Sequence, residues 1–356
     1  MSTPLFSPSY REARAHFVQA ADACGAQWHR YAMPLLGAQG EELAMDVAVH
    51  GPADAAQVLM TTSAVHGIEG FCGSAIQTGL LQSLSLPPGV AVVHVHAVNP
   101  HGFSHARRVN EDNVDLNRNF IDFAQPLPVN TDYAQIHELL LPPHWPPSPE
   151  ASVALKAQAD RWGERRMQRA ITSGQYQFPQ GVWFGGLAPT WSHRTFRQVL
   201  RTHLGQARQI AWIDLHTGLG PHGHGERIFA CTDNGETLKR ARQWWGPDIT
   251  SVNTGTSQSV PLSGPIQMAI YEECPKAQYT GICLEFGTLP LAQMIQAMRA
   301  DHWLALHPEA KPEQQRAIRA DMLQAFNPHS PEWQEQVWQQ GLQAASQALE
   351  GLAPPS

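Results

Sequence analysis

Six apolar segments recur along the chain, and each has the length and composition of a buried β-strand. Most are rich in β-branched residues, whereas the first alternates more and less apolar positions in the manner of a half-buried strand. They cover residues 43–49, 58–62, 90–98, 210–216, 227–231 and 281–287. Runs of this kind predict the strands of a sheet.

Segments with apolar residues at helical spacing lie between and after the strands. Ser9 and Glu12 have the form of a capping box, and a helical period follows as far as Gly25. The other predicted helices cover residues 73–84, 151–172, 190–204, 289–303, 313–326 and 331–349. Strands that alternate with helices predict an α/β protein, a three-layer α/β/α sandwich with a central mixed, mostly parallel sheet.

The same order predicts one domain over residues 1–356, because no internal repeat or flexible Gly/Ser linker divides the chain. Residues 99–120 have little apolar periodicity and predict a long loop over a site. A Pro-rich stretch at about 124–150 is interpreted as an irregular insertion, and helices at about 289–350 close the chain.

Charge and cysteine content argue against several classes of protein. A formal net charge of −7 argues against a nucleic-acid partner, because such binding depends on clustered Lys and Arg. No stretch approaches the roughly 18 apolar residues of a membrane span. The five cysteines are scattered and include no Cys-x-x-Cys pair, which is typical of reduced thiols. Since the N-terminus also lacks a signal-peptide core, we expect a cytoplasmic protein.

Four side chains with metal or proton chemistry lie at the ends of predicted strands. They are His66 and Glu69, His216, and Glu285. Because ligands bind at the carboxyl ends of strands in open α/β sheets, these residues are expected to meet in one place. Two imidazoles and one carboxylate with an open position are the pattern of a catalytic zinc site. Alternatively, the histidines are structural, and Glu69 favours the start of the following helix.

Glu285 is harder to explain without a function. It lies between Leu284 and Phe286 in an apolar strand, where an unpaired carboxylate costs several kcal/mol to bury. A metal, an Arg or a catalytic role would compensate that cost.

The loop at 107–120 carries positive charge that could serve such a site. Arg107 and Arg108 are suited to bidentate capture of a carboxylate or to stabilising an oxyanion, although a solvated charged loop is the alternative. His222 and His224 could form an extra metal site or line the pocket, but we interpret them as loop residues.

The order of these motifs resembles that of the zinc carboxypeptidase family, which includes carboxypeptidase A. Related amidohydrolases, aspartoacylase and succinylglutamate desuccinylase, share its fold and metal site. The resemblance covers about residues 43–287 and is closest to a bacterial carboxypeptidase-like branch whose substrates are generally unassigned. The motifs are His66-x-x-Glu69, Asn99-Pro100-x-Gly102, Asp115-Leu116-Asn117-Arg118-Asn119-Phe120, His216 and Glu285.

The resemblance implies one Zn²⁺ per chain, held by His66, Glu69 and His216. It implies that Glu285 is the general base that activates water and later protonates the leaving amine. Asp115 resembles a carboxylate that orients the first zinc histidine, a support that metal-ligating His commonly has.

The resemblance also implies how substrate is held. Arg107 resembles the residue that polarises the scissile carbonyl and stabilises the oxyanion, with Arg108 as the alternative. Asn117 and Arg118 match the pair that grips a terminal carboxylate, and Tyr271 resembles the mobile tyrosine that closes over substrate.

The expected function is a zinc-dependent hydrolase that cleaves an amide or peptide bond adjacent to a free carboxylate. One alternative is an N-acyl amino acid deacylase that uses the same site on a small substrate. The other is a non-catalytic protein that binds a metal or a carboxylate. A small closed pocket would favour the deacylase, and an open groove the peptidase.

Overall fold

A seven-stranded mixed sheet forms the centre of the computed structural model, which describes residues 5–232 and 235–353. The strand order across the sheet is β1-β2-β4-β3-β5-β7-β6. In chain order the strands are β1 (Gln27–Leu36), β2 (Glu42–His50), β3 (Gln57–Thr62), β4 (Val90–His96), β5 (Gln209–Gly218), β6 (Gly225–Phe229) and β7 (Gln278–Gly287).

Strand direction explains why one edge of the sheet can form a site. β4, β3, β5 and β7 pair in parallel, while β2 runs antiparallel to β4 and β6 antiparallel to β7. β1 is antiparallel to β2 and therefore runs with the parallel group. The predicted mixed, mostly parallel sheet is confirmed, and the carboxyl ends of its central strands lie together.

Twelve α-helices connect and cover the strands within the described residues. They are α1 (Tyr10–Ala23), α2 (Gly70–Ser83), α3 (Pro100–Ser104), α4 (Thr131–Leu140), α5 (Pro149–Trp162), α6 (Glu164–Thr172), α7 (Trp191–Leu204), α8 (Glu236–Trp245), α9 (Met268–Glu273), α10 (Leu291–Leu306), α11 (Pro312–Phe326) and α12 (Pro331–Leu352).

The helices lie on both faces of the sheet. On β5, residues 212 and 215 point to opposite faces because side chains alternate along a strand. Phe196 of α7 packs on Trp212, with 5.6 Å between ring centroids, and Gly73 of α2 lies against Leu215. The three-layer α/β/α prediction is therefore confirmed.

Three local predictions differ from the structure. Residues 27–36 form an edge strand whose positions are almost all exposed, so they lack the buried pattern that predicts strands. The helix expected over 151–172 is interrupted at Gly163, which has φ 76°. The Pro-rich stretch is not wholly irregular, because Asn130 caps α4 by accepting a hydrogen bond from Tyr133 N.

Two further sequence expectations concern membrane-spanning helices and the pairing of cysteines. Across the described ranges, the helices are all too short or too polar to cross a bilayer. The five cysteines are unpaired. The unpaired cysteines agree with the expectation of reduced thiols, and the cytoplasmic location stays a prediction.

Candidate metal and catalytic site

A tight turn after β3 positions the first two candidate ligands. Ala64 has φ 54°, and a short 3₁₀ segment, Gly67–Glu69, leads into α2. The turn is pinned by backbone hydrogen bonds from Gly67 N to Arg108 O at 3.0 Å and from Ile68 N to Arg107 O at 2.9 Å. A Cβ on Gly67 would overlap the backbone of residues 102 and 103, so this close approach requires glycine.

Three buried side chains converge at the end of this turn. Glu69 Oε1 lies 2.9 Å from His66 Nδ1, and Glu69 Oε2 lies 2.8 Å from His216 Nδ1. The two Nδ1 atoms are 3.2 Å apart. Donors around a tetrahedral zinc at about 2.0–2.1 Å lie about 3.3 Å from one another. The donor set therefore fits a divalent metal ion.

The outer nitrogens of both histidines are held by carboxylates. Asp115 Oδ1 is 3.1 Å from His66 Nε2, and Asp214 Oδ2 is 2.8 Å from His216 Nε2. At His216 this arrangement favours a proton on Nε2 and leaves the Nδ1 lone pair for a metal. Carboxylate–histidine pairs of this kind are characteristic of metal sites rather than of structural histidines.

Asp214 was missed in the sequence, although it bonds a candidate ligand directly. Besides His216, it accepts a 2.5 Å hydrogen bond from Thr62 Oγ1 and one of 3.1 Å from Gln267 Nε2. The signal was available, because Asp214 is a carboxylate inside an apolar strand, two positions before a candidate ligand. The reasoning applied to Glu285 would have identified it.

The charges in the cluster stabilise one another. Burial opposes ionisation of Glu69, but His66 and His216 hold its pKa far below the ordinary value. Burial likewise opposes a charged His216, yet Asp214 and Glu69 raise its pKa well above the ordinary value. Glu69 is therefore held as an anion by the two histidines, and it is a candidate anionic ligand.

Glu285 lies beside this cluster and opens onto a cavity. It is the register partner of His216 on the adjacent strand, so both side chains lie on the same face. Its Oε1 accepts a 2.9 Å hydrogen bond from Leu219 N. Burial, together with the charge of Glu69, raises the pKa of Glu285 to about 7. A carboxyl group with that pKa can exchange a proton near neutral pH.

A cysteine completes a second possible donor group with His216 and Glu285. Cys283 has its Sγ within 4.8 Å of their donor atoms. Burial and the nearby carboxylates raise the pKa of Cys283 well above the ordinary value, so it stays a thiol. Glu69 is thus the better third ligand beside the two histidines.

The two adjacent arginines point to different surroundings. Arg108 lines the cavity and bonds Asp115 Oδ2 at 3.1 Å and Glu69 Oε1 at 3.2 Å; its Nη2 is 2.8 Å from His66 Nε2. Arg107 instead bonds Asp301 of α10 at 3.0 Å and lines a separate small cavity. The structure therefore brings Arg108, not Arg107, to the metal cluster.

The remaining predicted substrate residues line the same cavity as the cluster. Asn117 accepts from Ile266 N at 2.9 Å, and its Nδ2 has no hydrogen-bond partner within the described part of the chain. Arg118 donates to Thr172 O and to Asn117 O. Tyr271 accepts from the amide of residue 232 at 2.9 Å, and burial raises its pKa to about 12.

The cavity has a volume of about 290 Å³. Its walls come from residues 228–232, from 252–271 and from α10 and α11, in addition to the cluster. Among the described residues that line it, none belongs to the Pro-rich stretch at 124–150. His222 and His224 are exposed in the loop before β6 and also lie away from it, as the loop interpretation predicts.

A pair of polar side chains on α6 ties that helix to a segment that contributes to the cavity wall. Arg165 donates to Ser259 O at 2.7 Å and to Gln258 O at 3.2 Å, and Gln168 Nε2 donates to Gln258 O at 2.9 Å. Gln168 and Ser259 themselves line the cavity. We call the contacts of Arg165 and Gln168 with residues 257–259 the clasp.

Comparison with known proteins identifies a family. A family model described as "Protein of unknown function (DUF2817)" matches residues 6–340. No curated protein matches the sequence.

Several solved structures resemble the chain at a distance. Bovine thrombin-activatable fibrinolysis inhibitor, in complex with tick carboxypeptidase inhibitor, has 13% identity and a TM-score of 0.47, over 90% of this chain and 96% of that one. A "putative metallopeptidase" from Shewanella amazonensis has 12% identity and a TM-score of 0.42, over 83% and 92%. The ectoine utilization protein EutE (DoeB) from Ruegeria pomeroyi has 14% identity and a TM-score of 0.38, over 78% and 67%. Likenesses this distant do not establish an activity.

Proposed function

The chain belongs to the DUF2817 family, and we propose that it is a zinc-dependent hydrolase that cleaves an amide bond adjacent to a free carboxylate. One observation carries the proposal. The Nδ1 atoms of His66 and His216 converge on Glu69, their Nε2 atoms are held by Asp115 and Asp214, and Glu285 opens onto the same cavity.

His66, Glu69 and His216 would hold the metal. When bound, a zinc ion supplies a Lewis acid that polarises a carbonyl and lowers the pKa of a coordinated water to about 7. Asp115 and Asp214 keep the two Nδ1 lone pairs directed inward, which is a requirement for any divalent ion at this position.

Glu285 is proposed as the general base and acid. A carboxylate with a pKa of about 7 takes a proton from the attacking water and returns it to the departing nitrogen. The hydrogen bond from Leu219 N fixes Oε1, so that Oε2 is the oxygen that faces the cavity. Loss of this one carboxylate should therefore stop turnover without removing the ligands.

Arg108 is proposed for the role that the resemblance assigns to Arg107. The developing negative charge on the substrate oxygen needs a cation at the cluster, and Arg108 lies there. Asp301 already neutralises Arg107 outside the cavity. Asn117, through its free Nδ2, and the buried cation Arg118 are proposed to bind the substrate carboxylate.

Two observations favour a small substrate such as an N-acyl amino acid over a long peptide. The cavity of about 290 Å³ has room for a compact ligand, and the clasp ties α6 to residues 257–259 beside the cavity wall. The deacylase alternative is therefore the form of the proposal that this chain supports better than a carboxypeptidase acting on extended chains.

The test is a screen of N-acyl amino acids and short peptides with zinc-loaded protein and with protein treated with chelator. We expect hydrolysis that chelator abolishes and zinc restores. Glu285→Gln should retain one zinc per chain and lose at least about 10²-fold in turnover, whereas His216→Ala should lose the zinc. Undiminished turnover in Glu285→Gln would overturn the mechanism. Zinc binding without hydrolysis of any substrate would favour the non-catalytic alternative.

A further inference from the structure

The cavity has two apolar walls that belong to separate hydrophobic clusters. Phe229, Cys231 and Met268 line it from the cluster around β5 and β7. The other wall belongs mainly to the helices at the end of the chain, outside the segment that resembles known enzymes. This second group, the helical wall, consists of Trp183, Leu219, Leu291, Met294, Met298 and Phe326.

The helical wall adjoins the catalytic end of the cavity. Leu219 donates its backbone N–H to Glu285, and Thr217 Oγ1 donates to Phe326 O at 2.7 Å. A Cβ on Gly218 would lie only 2.6 Å from Met294 Sδ, so the wall packs directly on the strand end that carries the ligand His216.

The opposite wall adjoins the groups proposed to bind the substrate carboxylate. Ile266 N donates to Asn117 Oδ1, and Met268 lies two residues further along the same segment. A substrate whose carboxylate lies at Asn117 and whose scissile bond lies at Glu285 would therefore direct its acyl group toward the helical wall.

On the basis of the proposed function, we propose that the helical wall binds an apolar acyl group of several carbons. All six of its side chains present carbon or sulfur surface, apart from the indole nitrogen of Trp183. Met294 and Met298 have flexible thioether side chains that fit alkyl groups of different shape. The substrate class is then N-acyl amino acids with aliphatic acyl chains.

The same wall argues against acyl groups that carry a second charge. A succinyl carboxylate would be desolvated against methionine and phenylalanine side chains without a partner. Behind the wall, Asp301 balances the charge of Arg107 through Nε, while the buried Nη2 of Arg107 has no hydrogen-bond partner among the described residues. We therefore expect N-succinyl substrates to be at least about tenfold poorer than N-butanoyl ones, which have the same number of carbons.

The experiment uses N-acetyl-, N-butanoyl-, N-hexanoyl- and N-succinyl-leucine as probes. Turnover is measured with the zinc-loaded wild type, and binding is measured by calorimetry with zinc-loaded Glu285→Gln. Both kcat/KM and affinity should rise about three- to fourfold for each added methylene, as expected for an alkyl chain that leaves water. Binding by Glu285→Gln keeps the measurement of the wall independent of catalysis.

Matched variants assign the effect to the wall. Met298→Ala should lower affinity for the hexanoyl probe by about tenfold and for the acetyl probe by less than twofold. The volume-conserving Met298→Leu should restore the preference. Met268→Ala, on the other wall, should weaken all acyl probes alike and leave their ratios unchanged. Melting temperatures verify that each variant is folded.

Equal affinity for acetyl and hexanoyl probes would overturn the inference, as would succinyl binding as tight as butanoyl binding. A chain-length effect that follows Met268 rather than Met298 would also overturn it. Chain-length-dependent binding by Glu285→Gln without any wild-type turnover would uphold the wall and overturn the hydrolase proposal. The two proposals can therefore fail separately.

Discussion

Replacing Asp214 with Asn should remove most of the metal affinity of this protein. Asp214 Oδ2 lies 2.8 Å from His216 Nε2 and 3.1 Å from Gln267 Nε2, both of which it accepts from. An asparagine that keeps its oxygen on Thr62 presents an NH₂ group to these two donors. His216 must then carry its proton on Nδ1 to accept from that group, and a protonated Nδ1 cannot bind a metal.

The size of the effect follows from the bond that is lost. Removing the carboxylate behind a metal-ligating histidine typically costs 10–100-fold in affinity, or about 1.4–2.8 kcal/mol. Since Asp214 is fully buried and water cannot replace it, the expected loss is near the upper limit. Zinc affinity is measured by competition with a chelator of known affinity, at pH 7.5.

A second buried carboxylate offers the control. Asp301→Asn also removes a buried charge, but Asp301 bonds Arg107 outside the metal cluster. It should lower the melting temperature while zinc affinity stays within about twofold of the wild type. Wild-type zinc affinity in Asp214→Asn, with a native melting curve, would refute the assignment of His216 Nδ1 as a ligand.

Three other predictions test the fold and the cavity. Burial lowers the pKa of His94 and of His96 to about 3, so both stay neutral in the native state while they titrate near 6.5 when unfolded. The stability that these two histidines contribute should therefore be fully present well above pH 6.5 and fall below it, by up to about 2.7 kcal/mol per pH unit for the pair. In urea unfolding, the slope of the unfolding free energy against pH should be smaller in His96→Gln by up to about 1.4 kcal/mol per pH unit, and an unchanged slope would contradict the prediction. Gly67→Ala should lower the free energy of unfolding by at least about 3 kcal/mol in the same assay, because its Cβ meets backbone that cannot move away. An unchanged free energy of unfolding would mean that the turn is wrongly described. Opening the clasp with Arg165→Ala and Gln168→Ala should raise the kcat/KM ratio of a tetrapeptide to an N-acyl amino acid by up to about tenfold. Arg166→Ala, which removes contacts with Asp132 and Trp162 instead, should leave the ratio unchanged.

The sequence predicted the central strands and the residues at their ends because both follow from local pattern. The β3, β4, β5 and β7 segments are apolar runs, and a charged residue at the end of such a run is visible without a structure. The same rule would also have identified Asp214, since it is a buried carboxylate within the β5 run. His66 and His216 are 150 residues apart, and they were brought together by their place at strand ends and by the order of motifs.

The edge of the sheet and the cavity walls could not be predicted in the same way. β1 is exposed on both faces, so its sequence lacks the alternation of apolar and polar residues that predicts a half-buried strand. The helical wall depends on α10 and α11 folding back onto Gly218, a packing contact between segments more than 70 residues apart. Amphipathic helices indicate that a face is buried, but the sequence does not say against which surface.

The sequence motifs do not decide which of two adjacent arginines reaches the site. Arg107 and Arg108 are neighbours in an extended loop, so their side chains leave the backbone in different directions. Which one reaches the cluster depends on Asp301, a partner 194 residues away on α10, which takes Arg107 out of the cavity. Arg108 is left beside Asp115 and Glu69. A substitution at Asp301 should therefore change the surroundings of Arg107, while Arg108 keeps its contacts. Structures or zinc titrations of Arg107→Ala and Arg108→Ala would show which of the two arginines acts at the cluster.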